Sequence, residues 1–162
     1  MKMITFPILL AVLLSFPALI SAQSGYIEVT ATGKLQLKLA VDSPRSQDLL
    51  LNVEAAKEMG NVIAFDMNMA GNVTADAKEQ SPLPGLIEFA ETDFSPWSAA
   101  GYDLLVSSEF SIKGDDLTVE FCLFDVLNRK MMIAKRYLGK TKDLRHFPHL
   151  FSDEILLALT PH

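Results

Sequence analysis

The sequence holds a single cysteine, Cys122, among 162 residues. One thiol closes no internal disulfide, so the fold is not a disulfide-stapled scaffold and has to rest on an apolar core. Basic residues are also scarce: 14 Lys and Arg stand against 20 Asp and Glu, no run of cations occurs, and the pI is near 5.0. A chain of this charge lacks the cations with which a non-specific nucleic-acid binder neutralises phosphates. Missing too are a glycine-rich phosphate loop, a Gly-x-Ser-x-Gly nucleophile elbow, internal repeats and low-complexity tracts. The length excludes a multi-domain enzyme and suits one domain that buries about two thirds of its unfolded surface without a metal.

Residues 1–22 have a composition of their own. Met1-Lys2 supplies a short positive end, Ile8 to Leu14 an unbroken apolar run, and Ile20-Ser21-Ala22 a small-residue cleavage site. Pro7 and Pro17 bracket a run well short of the roughly 20 residues that span a bilayer, so the segment predicts an export signal cut after Ala22 and no membrane span in the mature chain. Cys122 lies too deep in the chain to accept a lipid at the new terminus. The remaining 140 residues carry 13 basic and 20 acidic side chains, ordinary for a soluble domain. For an exported chain, the lone thiol points to a bacterial periplasm.

Tyr26 to Thr30 and Leu35 to Val41 alternate as short strands or an extended arm, split at Thr32-Gly33. Leu49, Val53, Ala56, Ile63 and Met67 recur at helical steps, which predicts a helix from about Ser46 to Ala70, capped by Ser43 or Ser46, bent at Gly60 and ended by Gly71. Residues 71–86 read as a loop with one short strand at most. Asp93 to Gly101 predicts a short helix with Ser95 as cap and Pro96 in its first turn. Tyr102 to Ile112 is a strand, Lys113 to Asp116 a hairpin turn, and Leu117, Val119, Phe121 and Leu123 mark one face of the next strand. Asn128 to Lys130 turns into a third strand, Met131 to Leu138. The last helix carries Leu144, Phe147, Phe151, Ile155 and Leu159, with Pro148 predicting a kink or a start near Phe147. The fold class is α/β, a mixed sheet with an antiparallel meander packed against two main helices. Residues 23–45 form the amino-terminal arm and first strand, and residues 46–162 the α/β domain.

Chemical sites are sparse. His146 and His149 stand three apart on a helix, but only Asp153 lies at a suitable step, short of the three or four converging ligands of a zinc site. Cys122 alternates within a strand and packs as a small hydrophobe. Asp115-Asp116 belongs to a solvated turn, and Trp97, beside Phe94, to the core. No catalytic, cofactor-binding or metal-binding residues are assigned.

Several ordered patches carry a family resemblance. These are Tyr26-Ile27-Glu28-Val29, Val62-Ile63-Ala64-Phe65-Asp66, Asp93-Phe94-Ser95-Pro96-Trp97 and Gly101-Tyr102-Asp103-Leu104-Leu105-Val106. Gly114-Asp115-Asp116-Leu117, Leu123-Phe124-Asp125-Val126, Lys135-Arg136-Tyr137 and Ser152-Asp153-Glu154-Ile155 follow in the same order. Together they resemble the amino-terminal domain of the TolB family, the periplasmic component of the Tol-Pal system, over most of residues 26–160. The resemblance implies a non-enzymatic interaction domain in outer-membrane integrity and cell division. It also implies that the arm Tyr26, Ile27, Glu28, Val29 and Thr30 binds a TolA-like partner. In that family Pal binds a following β-propeller. These residues stop about where the propeller linker would begin, so Pal binding does not carry over. Two alternatives stand beside this reading: a stand-alone envelope or appendage-assembly accessory domain of the same fold, and a TolB truncated before its propeller.

Overall fold

The computed structural model describes residues 36–46, 52–78 and 92–160. Its strands are β1 (Leu37–Val41), β2 (Val73–Ala77), β3 (Leu104–Lys113), β4 (Asp116–Asp125) and β5 (Lys130–Lys140), and its α-helices are α1 (Val53–Ala70), α2 (Ser95–Ala99) and α3 (His146–Leu159). The strands form one mixed sheet in the order β2-β1-β3-β4-β5. β1 has parallel neighbours on both sides, with Leu39 opposite Ala75 of β2 and Leu104 of β3. β3, β4 and β5 are an antiparallel meander.

Parallel neighbours need a long connection between them, and α1 supplies it between β1 and β2. The helix begins at Val53 rather than near Ser46. The reason is upstream: the Arg45 N–H donates to the Ser108 carbonyl and the Arg45 carbonyl accepts from Phe110 N–H, so the backbone is still extended beside β3 at Arg45. Neither Ser43 nor Ser46 caps the helix, which follows Asn52; residues 47–51 lie outside the described residues. The helix passes unbroken through Gly60 and ends at Gly71. At its last turn the Asn68 side chain accepts from Ala75 N–H at 2.9 Å and donates to the Ala75 carbonyl at 2.8 Å, closing part of the outer edge of β2.

The meander follows its turn chemistry. Gly114 takes φ 63° between Lys113 and Asp116, and Asp125 accepts the Asn128 backbone N–H at the next reversal. That bond, with a second from the Asn128 side chain, holds the Asp125 carboxyl below its usual range. α3 starts at His146, with Pro148 in its first turn, where the missing N–H leaves no helical bond unmade.

α1 and α3 share one face of the sheet. Met59, Ile63 and Met67 of α1 and Phe151 and Ile155 of α3 meet Leu39, Val41, Val106, Val119, Phe121 and Leu123 in one buried cluster. Phe121 stacks on Phe151 with ring centroids 5.0 Å apart, and Tyr137 stacks on Phe147 at 5.3 Å. Gly139 permits the second stack, because a Cβ there would lie 2.6 Å from Phe147 Cζ. The opposite face carries a smaller cluster in which Trp97, Tyr102, Leu105, Cys122, Phe124 and Val126 gather around Ala40. Trp97, at the centre of α2, is buried as expected of a core residue.

Three measurements test this packing. Phe121→Ala removes a fully buried ring from the stack and is expected to cost about 3–5 kcal/mol in denaturant unfolding; an unchanged midpoint would mean the ring is not in the core. Gly60→Ala is expected to stabilise the domain by roughly 0.5–1 kcal/mol, since the new Cβ meets only ordinary contacts at 3.8 Å and beyond and a glycine leaves a helix interior. Burial, then the nearby Glu120 and Glu109 carboxylates, push the Cys122 thiol up from 9.0 to about 12. The folded thiol therefore stays protonated while the unfolded one ionises, and its contribution to stability is whole below pH 9.0 and lost as pH climbs towards 12. Cys122→Ala is expected to flatten the fall in denaturant midpoint across that window, and a slope identical in both proteins would refute the assignment.

Candidate functional site

The residues expected to bind a partner, Tyr26, Ile27, Glu28, Val29 and Thr30, lie outside the described residues. What the structure describes is the body from residue 36 onward and the surfaces it offers.

The first surface is a hollow of about 670 Å³ on the helical layer, lined by Glu54, Lys57, Glu58, Phe65, Arg145 and His149 among others. Two contacts in it cross between the helices: Arg145 Nη1 donates to Glu58 at 2.7 Å and His149 Nδ1 lies 2.7 Å from Asp66 Oδ2. The helical spacing of His146 and His149 directed attention to Asp153, whereas the carboxylate that meets His149 is Asp66, 83 positions earlier. Among the described residues no three His, Cys, Asp or Glu side chains converge as a metal site would require.

The second is a hollow of about 290 Å³ on the opposite face, beside β3, β4 and β5. Glu109 and Glu120 stand directly opposite one another across the β3–β4 ladder, and Arg136 of β5 holds Glu120 through Nε at 2.8 Å and Nη2 at 2.5 Å. Deeper on that face, Arg45 is buried with Asp42 3.9 Å away and Ser107 accepting a hydrogen bond from its Nη2. Cys122, opposite Ser107 in the ladder, is an inert thiol in this setting, because the thiolate is the reactive form and burial suppresses it.

The third is the sheet edge formed by β5. Its cations reach back to carboxylates on neighbouring elements: Lys135 to Glu154 at 2.9 Å and Lys140 to Asp116 at 2.6 Å. The hydrogen bonds that both lysines donate to these carboxylates raise them above their usual range. Burial raises the Tyr137 phenol between them. Met131, Met132 and Leu138 are exposed on the same strand. Sequence patterns alone pass over this edge, because no more than two cations are adjacent and the alternation of β5 is interrupted by a register shift opposite Leu123/Phe124.

None of the three surfaces sets a nucleophile against a base. Several charged groups there are paired with opposite charges, Arg145 with Glu58, Arg136 with Glu120 and Lys135 with Glu154, and exposed apolar side chains lie beside them, an arrangement that suits contact with another macromolecule.

Comparison with known proteins agrees with this geometry. The model of the TolB amino-terminal domain matches residues 25–132. The Tol-Pal system protein TolB of Geobacter metallireducens is 41% identical over 155 residues, covering 96% of this chain and 36% of that protein. The chain thus spans about a third of the length of the curated relatives it matches. Among solved structures, TolB from Acinetobacter baumannii superposes with a TM-score of 0.58 at 23% identity, covering 76% of this chain and 28% of that one. The PelC dodecamer from Paraburkholderia phytofirmans shares the fold at a TM-score of 0.51 and 13% identity, covering 77% of this chain and 90% of that one. With the domain model matched from the arm through β4 and a relative 41% identical along nearly the whole sequence, the chain belongs to the TolB amino-terminal domain family.

Proposed function

We propose that the chain is exported by residues 1–22, cut after Ala22, and works in the periplasm as a non-enzymatic protein-interaction domain of the Tol-Pal system, in outer-membrane integrity and cell division. The observation that carries this reading is the 41% identity to a Tol-Pal system protein TolB over 96% of the chain. Residues 23–45 are its arm and first strand and residues 46–162 its α/β body. No helix among the described residues is long and apolar enough to cross a membrane.

The working element is the arm, Tyr26 to Thr30, which adds itself as a strand to a TolA-like partner. Main-chain hydrogen bonds supply affinity in this mode, and alternate side chains supply specificity. Two facts support the assignment. The family match begins at residue 25 and so includes the arm. Among the described residues, two apolar clusters form a core for the body from Leu37 onward, and a segment on which a free strand can be hung needs such a core behind it.

Deleting Gln23 to Thr30 is therefore expected to abolish binding to the carboxy-terminal domain of a TolA-like partner in calorimetry while leaving the denaturant midpoint of the body unchanged. Val29→Pro, which removes one ladder donor, is expected to weaken binding by roughly tenfold or more without unfolding the domain. Full affinity in the arm-deleted protein, or a body that unfolds when Val29 is replaced, would defeat the proposal.

A further inference from the structure

The two edges of the sheet are finished differently. At the β2 edge the Asn68 amide occupies both the N–H and the carbonyl of Ala75, so a visiting strand finds the ladder already taken there. At the β5 edge, among the described residues, no strand or side chain pairs with the outer backbone between Lys130 and Gly139. An eleven-residue strand with one open edge is a template for another extended chain.

Charge says which chain it accepts. Seven of the fourteen basic residues fall within 129–145, where Asp143 is the one acid, so a stretch of net +6 sits in a chain of net −6. Lys135, Arg136 and Lys140 spend part of that charge on carboxylates of the body. Arg129, Lys130 and Lys142 are exposed and form no ion pair among the described residues. Beside them, Met131, Met132 and Leu138 offer apolar surface, Leu138 with 74% of its area exposed.

We propose that the outer edge of β5 takes up an extended acidic segment of a partner protein as a sixth strand. Backbone groups of β5 form the ladder, the basic side chains select acidic neighbours, and the methionines and Leu138 cover the apolar side chains between them. A second copy of this chain is the wrong occupant, because two β5 edges would set the same cations against each other, and cations opposite one another in a ladder are destabilising. An anionic lipid surface would answer the charge but has no peptide groups with which to continue the ladder. This edge is a different segment of the chain from the arm and the proposal does not rest on the arm's role: the arm is proposed to donate a strand, and this edge to receive one.

The test uses the whole chain and a fluorescent peptide of about ten residues in which Glu alternates with Val and Thr, with a Lys-for-Glu peptide as control. Anisotropy is expected to show saturable binding of the acidic peptide, and amide shifts in nuclear magnetic resonance spectra to concentrate on Lys130 to Lys140. Replacing Arg129, Lys130 and Lys142 together by Glu is expected to weaken binding by roughly tenfold or more at an unchanged thermal midpoint. The shift map on the unsubstituted protein stands even if that variant folds poorly. Shifts elsewhere, equal binding of the lysine peptide, a dimer whose contacts map to β5, or sedimentation with phosphatidylglycerol vesicles in place of peptide binding would each overturn the proposal.

Discussion

Strand β3 has to hold two ladders of opposite sense, and the rest of the domain is arranged around that requirement. On one side it runs parallel to β1 over Leu104 to Val106, and on the other antiparallel to β4 along its whole length. A strand between two neighbours, with layers on both faces, needs apolar side chains pointing both ways. Its first half meets that need: Leu104 and Val106 face the two long helices, Leu105 faces the Trp97 cluster, and Ser107 and Ser108 are buried beyond them. Among the described residues its second half has only the helical layer above it, and there Phe110 is buried while Ser111 is exposed. The change from a continuous apolar run to strict alternation within one strand is the sequence record of where the second layer stops.

That record explains which elements can be read without a structure. The meander is specified locally: alternation marks each strand, Lys113 to Asp116 closes one hairpin and Asn128 to Lys130 the next, and each pairs segments close in sequence. Pro148 marks the start of α3 for a similar reason, since a missing N–H costs nothing in a first turn. The start of α1 is not local. Ser43 and Ser46 have the chemistry of helix caps, yet the backbone at Arg45 bonds to Ser108 and Phe110, more than sixty positions away, and a ladder bond of that kind overrides a cap preference. β2 is obscure for another reason. Its five residues, Val-Thr-Ala-Asp-Ala, hold few large apolar side chains, and the strand is fastened by β1 on one side and by the Asn68 amide on the other.

Family membership was legible through a different signal. No spacing of titratable residues pointed to chemistry, and the His146/His149 pair resolves into a contact between His149 and Asp66 across the helical layer. The informative feature was the order of many short patches along the chain, each unremarkable by itself. Four of the eight patches fall at turns or element ends, among them Asp93 accepting the Ser95 N–H before α2, Gly114 in the hairpin and Asp125 holding Asn128, and three others lie inside α1, β5 and α3. At the turn positions among them, backbone geometry restricts the choice of residue, as at Gly114 with its positive φ.

Charge completes the argument from fold to interaction. The chain is acidic as a whole, yet its cations are concentrated along the last strand and the turns at its ends. Several carboxylates that oppose them lie on β4 and α3, one element further in, so the outermost layer of charge at that edge is positive. An acidic segment approaching an acidic protein is attracted along that edge, where among the described residues the outer peptide groups of β5 are also unpaired. Electrostatics of this kind adds more to orientation and encounter than to final affinity, which the ladder itself would supply. The same cations discourage two copies from pairing edge to edge, so one feature keeps the edge free of its own kind and available to a partner of opposite charge.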